Sequence, residues 1–237
     1  GPIERSTRLL PQFKKKNVFD YNRVKEGLLL MLWGFFKKIV IADRLAVVVN
    51  TVYNDVGSYQ GYPLIIASIF FAFQIYCDFS AYSDIAIGGA KVMGYDLMRN
   101  FNRPYFSKSI SEFWRRWHIS LGSWFKDYVY IPLGGSRVPT LRKYLNIVIV
   151  FLVSGLWHGA NWTFVIWGAL HGFYQIIGFI IKPIKEKVIN LFKINKTKTY
   201  YKFFQVITTF ILVDFAWIFF RSNSLADAKY IITHLFL

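Results

Sequence analysis

Cysteine is nearly absent from this 237-residue sequence, and Cys77 stands alone. A single thiol allows no internal disulfide and no cysteine-based metal cluster. Set in an apolar run, it reads as a packing thiol rather than a nucleophile. Acidic residues are also scarce, 13 against 29 Lys and Arg, for a net charge of +16. No Ser-His-Asp order, metal-ligand spacing, internal repeat or low-complexity tract stands out. On a soluble domain so large a positive surplus would point to nucleic acid. Here the basic residues cluster between apolar runs, as they do in cytoplasmic loops of membrane proteins. That pattern excludes a nucleic-acid partner and leaves lipid as the first expected one.

What the sequence has in plenty is apolar and aromatic surface. Hydrophobic residues make up 54% of it, with 24 Phe, 15 Tyr and 8 Trp. Several runs approach the roughly 20 residues that cross a bilayer. The expected fold is therefore all-α, a polytopic transmembrane helical bundle with interfacial and re-entrant helices.

Residues 1–23 are polar and basic and read as a solvated loop at an anionic membrane surface. The opening "GPIERSTRLLPQF" reads as a loop arriving from something earlier, so the chain is expected to be a fragment. Residues 24–53 are apolar but interrupted by Lys37, Lys38, Asp43 and Arg44, which leaves two short helices or one interfacial helix open. Residues 62–80 form a clear span that runs on through "AYSDIAIGGAKVMGY". It carries Gln74 and Asp78 on one face, and Ser80 and Asp84 on another. Carboxylates at that depth must face protein or water. They either bond to neighbouring helices or line a substrate path. Residues 144–181 suffice for two crossings, 182–202 are basic again, and 203–220 form a last span containing Asp214.

Between the spans, apolar residues at Ile110, Phe113, Trp114, Trp117, Leu121, Trp124, Phe125 and Tyr128 trace one stripe. The spacing predicts an amphipathic helix over 110–128, started by Ser109 with Glu112 three residues on, and broken at "YIPLGG". Such a helix lies in the membrane interface or against the bundle.

There are four histidines: His118, His158, His171 and His234. His158 sits in "VSGLWHGANW", inside one of the most apolar stretches of the chain. Apolar surroundings favour the neutral imidazole, which can accept a proton as a general base must. Gly155 and Gly159 allow backbone or substrate to come close. The plain alternative, a buried histidine bonded to a neighbouring helix, stays open on these residues alone, and it is the reading preferred for His171.

Four segments together resemble a known family: "GPIER" at 1–5, "FQIYCDFSAYSDIAIGGAKVMGY" at 73–95, "NFNRPYFSKSISEFWRRWHISLGSWFKDYVYIPLGGSR" at 100–137 and "SGLWHGANWTFVIWGALHG" at 154–172. In this order they are similar to the membrane-bound O-acyltransferases, specifically to the bacterial branch that O-acetylates polysaccharides such as alginate. A related branch that moves D-alanine onto teichoic acid is a second possibility. The resemblance implies that His158 is the catalytic histidine and His118 the second signature residue. It implies that residues 1–237 are the C-terminal part of a single membrane domain of this kind, and it implies acetyl transfer from a cytoplasmic thioester, acetyl-CoA, with no bound cofactor. The acceptor is an extracytoplasmic glycan or an exported acyltransferase-like partner protein, and the location is a bacterial cell membrane.

Around that chemistry, Trp157, Asn161 and Trp162 are expected to shape the tunnel, and the Asn161 amide to face the oxyanion. Arg115 and Arg116 are expected to guide donor phosphates, and Asp78 to line a substrate path. A transporter passing a polar solute along Asp78, Asp84 and the histidines is a competing reading. So is an inactive scaffold that recruits an exported partner.

Overall fold

Helices account for all of the regular structure in the computed structural model, which describes residues 1–237 and has no strand. Four of the helices are long and apolar enough to cross a membrane: α4 (Tyr62–Met93), α7 (Thr140–His158), α8 (Trp162–Leu191) and α9 (Thr199–Arg221). These are the spans the hydropathy pattern predicts. Only 48 of the 237 residues are buried, and side chains such as Leu28, Leu32, Trp33, Ile39 and Val40 lie exposed along the outside. An apolar exterior on helices that satisfy their own backbone hydrogen bonds is the form a bilayer selects.

The first fifth of the chain is more helical than its composition suggests. The expected loop at 1–23 contains α1 (Ser6–Phe13), tied to the end of α4 through Gln12 and the Asp96 backbone. Asp20 caps α2 (Tyr21–Phe35) by accepting from the Arg23 backbone N–H. The chain then widens into a π-helical stretch, Phe36–Ala42, before α3 (Asp43–Tyr53). Residues 24–53 are thus one continuous helical path rather than two separated helices.

The π-helical stretch carries the two lysines that interrupt the apolar run, and both reach α4. The Lys37 ammonium donates to Ser80 Oγ at 2.8 Å and pairs with Asp84 at 2.7 Å. Lys38 pairs with Asp43 at 2.8 Å and with Asp78 at 2.7 Å. Charges near bilayer depth are tolerated when paired in this way. Asp78 and Asp84 therefore bond to a neighbouring helix.

The helix expected over 110–128 is two helices and a turn. Ser109 starts α5 (Ile110–Arg116) as read, its hydroxyl accepting from the Glu112 N–H at 3.1 Å. The helix stops at Trp117, and His118 takes a left-handed backbone with φ of 42°. Then α6 (Ile119–Phe125) begins and runs into a π-helical turn, Lys126–Tyr130, ahead of Pro132.

α7 and α8 form the expected hairpin, joined at residues 159–161. They cross at two glycines: a Cβ on Gly155 would strike the Phe164 carbonyl, and one on Gly168 the Phe151 carbonyl. α8 continues through Pro183 to Leu191, so part of the basic segment expected as loop is helix. α9 and α10 (Leu225–His234) complete the bundle. Its core is aromatic: the ring centroid of Trp217 lies 5.8 Å from that of Trp167, 5.2 Å from Trp117 and 6.2 Å from Phe71. Each such pair adds about 0.5–1.5 kcal/mol beyond the area it buries.

Candidate functional site

The site forms where two chain breaks meet. His158 is the last residue of α7. Gly159 follows it directly beneath the ring of Phe164, where a Cβ would come within 2.8 Å. His158 is half-buried among aromatic rings, with centroids 4.9 Å from Trp157, 5.0 Å from Phe220 and 5.2 Å from Trp167. It packs by shape rather than by hydrogen bonds to protein.

His118 occupies the break between α5 and α6. A left-handed conformation at a non-glycine residue costs of order 1 kcal/mol or more and persists where the surroundings impose it. Those surroundings are the segment after α4. The Ile119 N–H donates to the Asn100 carbonyl at 2.9 Å, and the Asn102 N–H to the Arg116 carbonyl at 2.9 Å. The Asn100 side chain lies 3.1 Å from His118 Nδ1, and the ring meets Phe79 edge-on at 4.6 Å. His118 lies outside the four long apolar helices. Burial, reinforced by the nearby His158, lowers its pKa to about 3, so the ring is neutral at physiological pH.

Both histidines line one cavity of about 140 Å³, together with Asp78, Ser154, Trp167 and Phe220. A wider cavity of about 520 Å³ adjoins it, sharing Trp114, His118, Leu121 and Ser154. The wider one carries Arg115, Lys126, Ser123 and Gln175. The arrangement is an inner chamber with two imidazoles that shares a wall with a larger vestibule carrying two cations.

The other expected site residues are placed unevenly. Asp78 lines the inner chamber while bridged to Lys38. Arg115 lines the vestibule, but Arg116 turns aside to pair with Glu112 at 2.5 Å. Trp157 is largely exposed, yet its ring packs against both imidazoles. Trp157, Asn161 and Trp162 do not line either cavity. Asn161 Oδ1 accepts from the Thr163 N–H at 3.1 Å and so caps α8, and Trp162 is 71% exposed. Asn161 is a recognisable N-cap in the sequence, an asparagine just before an apolar helical run.

His171 is fully buried and accepts a hydrogen bond from the Trp114 indole at 3.3 Å, which ties α8 to α5. Three site residues escaped the sequence reading: Asn100, Ser154 and Lys38. Lys38 had a signal, because paired lysines in one apolar run and paired aspartates in another imply ion pairs. Asn100 and Ser154 had none beyond their presence in quoted segments.

The fold and the chamber define a polytopic helical membrane protein with a buried two-histidine site. The pattern of the MBOAT, membrane-bound O-acyltransferase family, matches residues 1–220, and the chain belongs to that family. It is 40% identical over 230 residues to the peptidoglycan O-acetyltransferase of Helicobacter pylori, covering 96% of this chain and 42% of that protein. It is 39% identical over 228 residues to the probable alginate O-acetylase AlgI of Pseudomonas aeruginosa, covering 96% and 41%. A teichoic acid D-alanyltransferase of Streptococcus thermophilus is 29% identical over 206 residues, covering 80% and 49%. The chain thus spans about two fifths of the length of the first two relatives.

Proposed function

We propose that this protein catalyses O-acetyl transfer in a bacterial cell membrane. It takes the acetyl group from a cytoplasmic thioester, acetyl-CoA, and passes it toward hydroxyls of an extracytoplasmic polysaccharide or of an exported acyltransferase-like partner. The observation that carries this reading is the single chamber lined by both His118 and His158, beside a vestibule with Arg115 and Lys126 that shares its wall.

In the step, the acceptor hydroxyl gives its proton to His158 as its oxygen attacks the thioester carbonyl. The new C–O bond forms, the C–S bond breaks, and the departing thiolate takes the proton back from His158 and leaves as the thiol. Because the thioester is already activated, the site supplies a base, orientation and exclusion of water. The aromatic lining of Phe79, Trp114, Trp117, Trp167, Trp217 and Phe220 serves the last of these. Arg115 and Lys126 attract the donor's phosphates at the wider end. His118, between the two cavities, orients the donor.

The likeness to the teichoic acid D-alanyltransferase supports a second donor, a D-alanyl thioester, on the same geometry. Purified full-length protein is given acetyl-CoA with an acetylatable glycan, and free thiol and acetylated product are measured together. Equal release of thiol and formation of ester is expected. Movement of a solute with no thiol release would establish a transporter. Partner binding with neither activity would establish a scaffold.

A further inference from the structure

One oxygen holds the residues of the α5–α6 break. Asn100 Oδ1 lies 3.1 Å from His118 Nδ1, 3.2 Å from the Ser120 backbone nitrogen and 2.9 Å from Ser120 Oγ. A backbone N–H can only donate, so the Asn100 atom that faces Ser120 is its carbonyl oxygen and not its amide nitrogen. The other end of the amide agrees, because Nδ2 donates to Ser83 Oγ at 3.1 Å. An amide oxygen carries no hydrogen, and the Ser120 hydroxyl, 3.5 Å from Nδ1, donates to the nearer Asn100 oxygen at 2.9 Å, so the hydrogen in the Asn100–His118 contact belongs to Nδ1. In a neutral imidazole the other nitrogen, Nε2, is then a bare lone pair. Asn100 and His118 are 1% and 4% exposed, and the His118 ring lies edge-on to Phe79 at 4.6 Å. The same His118 lines both cavities.

We propose that Asn100 is a positioning residue that fixes His118 in its Nδ1–H tautomer, so that His118 offers the substrate a hydrogen-bond acceptor at Nε2. His118 then accepts from an N–H or O–H of the bound substrate and cannot donate to the developing oxyanion. Asn100 works only through His118, and the proposal rests on the acyl-transfer reading of the shared chamber. It refines that reading by dividing the two imidazoles: His158 is free to take a proton, and His118 is locked as an acceptor.

The test uses the full-length protein with acetyl-CoA as the donor probe and thiol release as the readout. Asn100→Asp keeps an oxygen for His118 and Ser120, and Ser83 can turn its hydroxyl to donate, so the fold is retained. It places a carboxylate against Nδ1 and favours the imidazolium. The other charged or titratable groups around the ring are Asp78 and His158 across the chamber, Arg115 and Lys126 on the vestibule, and the Gly1 amino group. They are the same in both proteins, so a difference in pH profile reports the new carboxylate.

The acid limb of kcat/KM in Asn100→Asp is expected to rise by about 1–3 pH units. Asn100→Leu is expected to lose activity at every pH, to the level of His118→Ala. In the His118→Ala background, Asn100→Asp is expected to shift nothing. If His118→Ala is impaired but Asn100→Asp shows an unmoved acid limb, Asn100 does not act through His118 and the proposal is wrong. If His118→Ala keeps wild-type activity, the two-histidine reading of the chamber fails and the role of Asn100 fails with it.

Discussion

Replacing His158 with alanine separates catalysis from folding in a way the structure makes quantitative. The imidazole makes no hydrogen bond to protein and sits half-buried against Trp157, Phe164, Trp167 and Phe220. Removing it strands no donor or acceptor, so the stability cost is lost packing alone, about 1–3 kcal/mol. The void merges with a chamber that is already about 140 Å³. Loss of a positioned general base lowers turnover by a factor on the order of 10²–10⁴. At about 1.36 kcal/mol per decade, that is roughly 2.7–5.4 kcal/mol of transition-state stabilisation.

His171→Ala is the control with the opposite profile. His171 is fully buried and is the acceptor for the Trp114 indole, so its removal orphans a donor and opens a core cavity. The expected cost is about 3–5 kcal/mol of stability, with a milder loss of turnover per folded molecule. His118→Ala falls between them in activity. The assay is acetyl transfer by purified full-length variants, normalised to the monodisperse fraction on size exclusion. Should His158→Ala keep more than about a tenth of wild-type turnover, less than the low end of the general-base range predicts, the base is another group.

Arg115→Ala is expected to raise KM for acetyl-CoA more than it lowers kcat, because Arg115 lines the vestibule; steady-state kinetics decide it. Arg116→Ala is expected to have little effect on KM, since that side chain is tied to Glu112. Lys37→Met strands Asp84 and Ser80 and should cost about 3–5 kcal/mol, whereas Lys37→Met with Asp84→Leu should recover most of it in thermal unfolding. The basic segment 98–143 is expected to face the cytoplasm. A cysteine at the exposed Ser136 should therefore resist an impermeant thiol reagent in intact cells and react in inverted vesicles.

The spans were legible because hydropathy answers directly to the bilayer. The two crossings of α7 and α8 were legible as well, because the apolar stretch 144–181 is long enough for both. The break at His118 was not. Trp114, Trp117, Leu121 and Phe125 keep steps of three and four straight through it, so a periodicity reading sees one helix. What bends the chain there is Asn100, eighteen residues away, whose backbone and side-chain oxygens accept from residues 118–120. A long-range hydrogen-bond acceptor leaves no trace in local spacing. Asn161 and Trp162 show the reverse: their closeness to His158 in sequence suggested the tunnel, whereas in the structure Asn161 caps the start of α8 and Trp162 lies exposed.

The chamber depends on chain breaks more than on the long helices themselves. A continuous helix points its side chains outward from a cylinder and satisfies its own backbone. At Gly159 and His118 the chain leaves that regime, and an imidazole can be set at a helix end instead of on its flank. The π-helical stretch Phe36–Ala42 does related work from the far side, bringing Lys38 to Asp78 at the chamber wall. Each irregularity is stabilised by specific polar partners: Asn100 for His118, Asn161 for the start of α8, Asp43 and Asp78 for Lys38. Two of the 13 acidic residues, Asp43 and Asp78, therefore serve the π-helical departure from plain helix. A substitution there should alter the chamber, whereas one on the exposed side of α2, such as Leu28→Ile, should leave it unchanged.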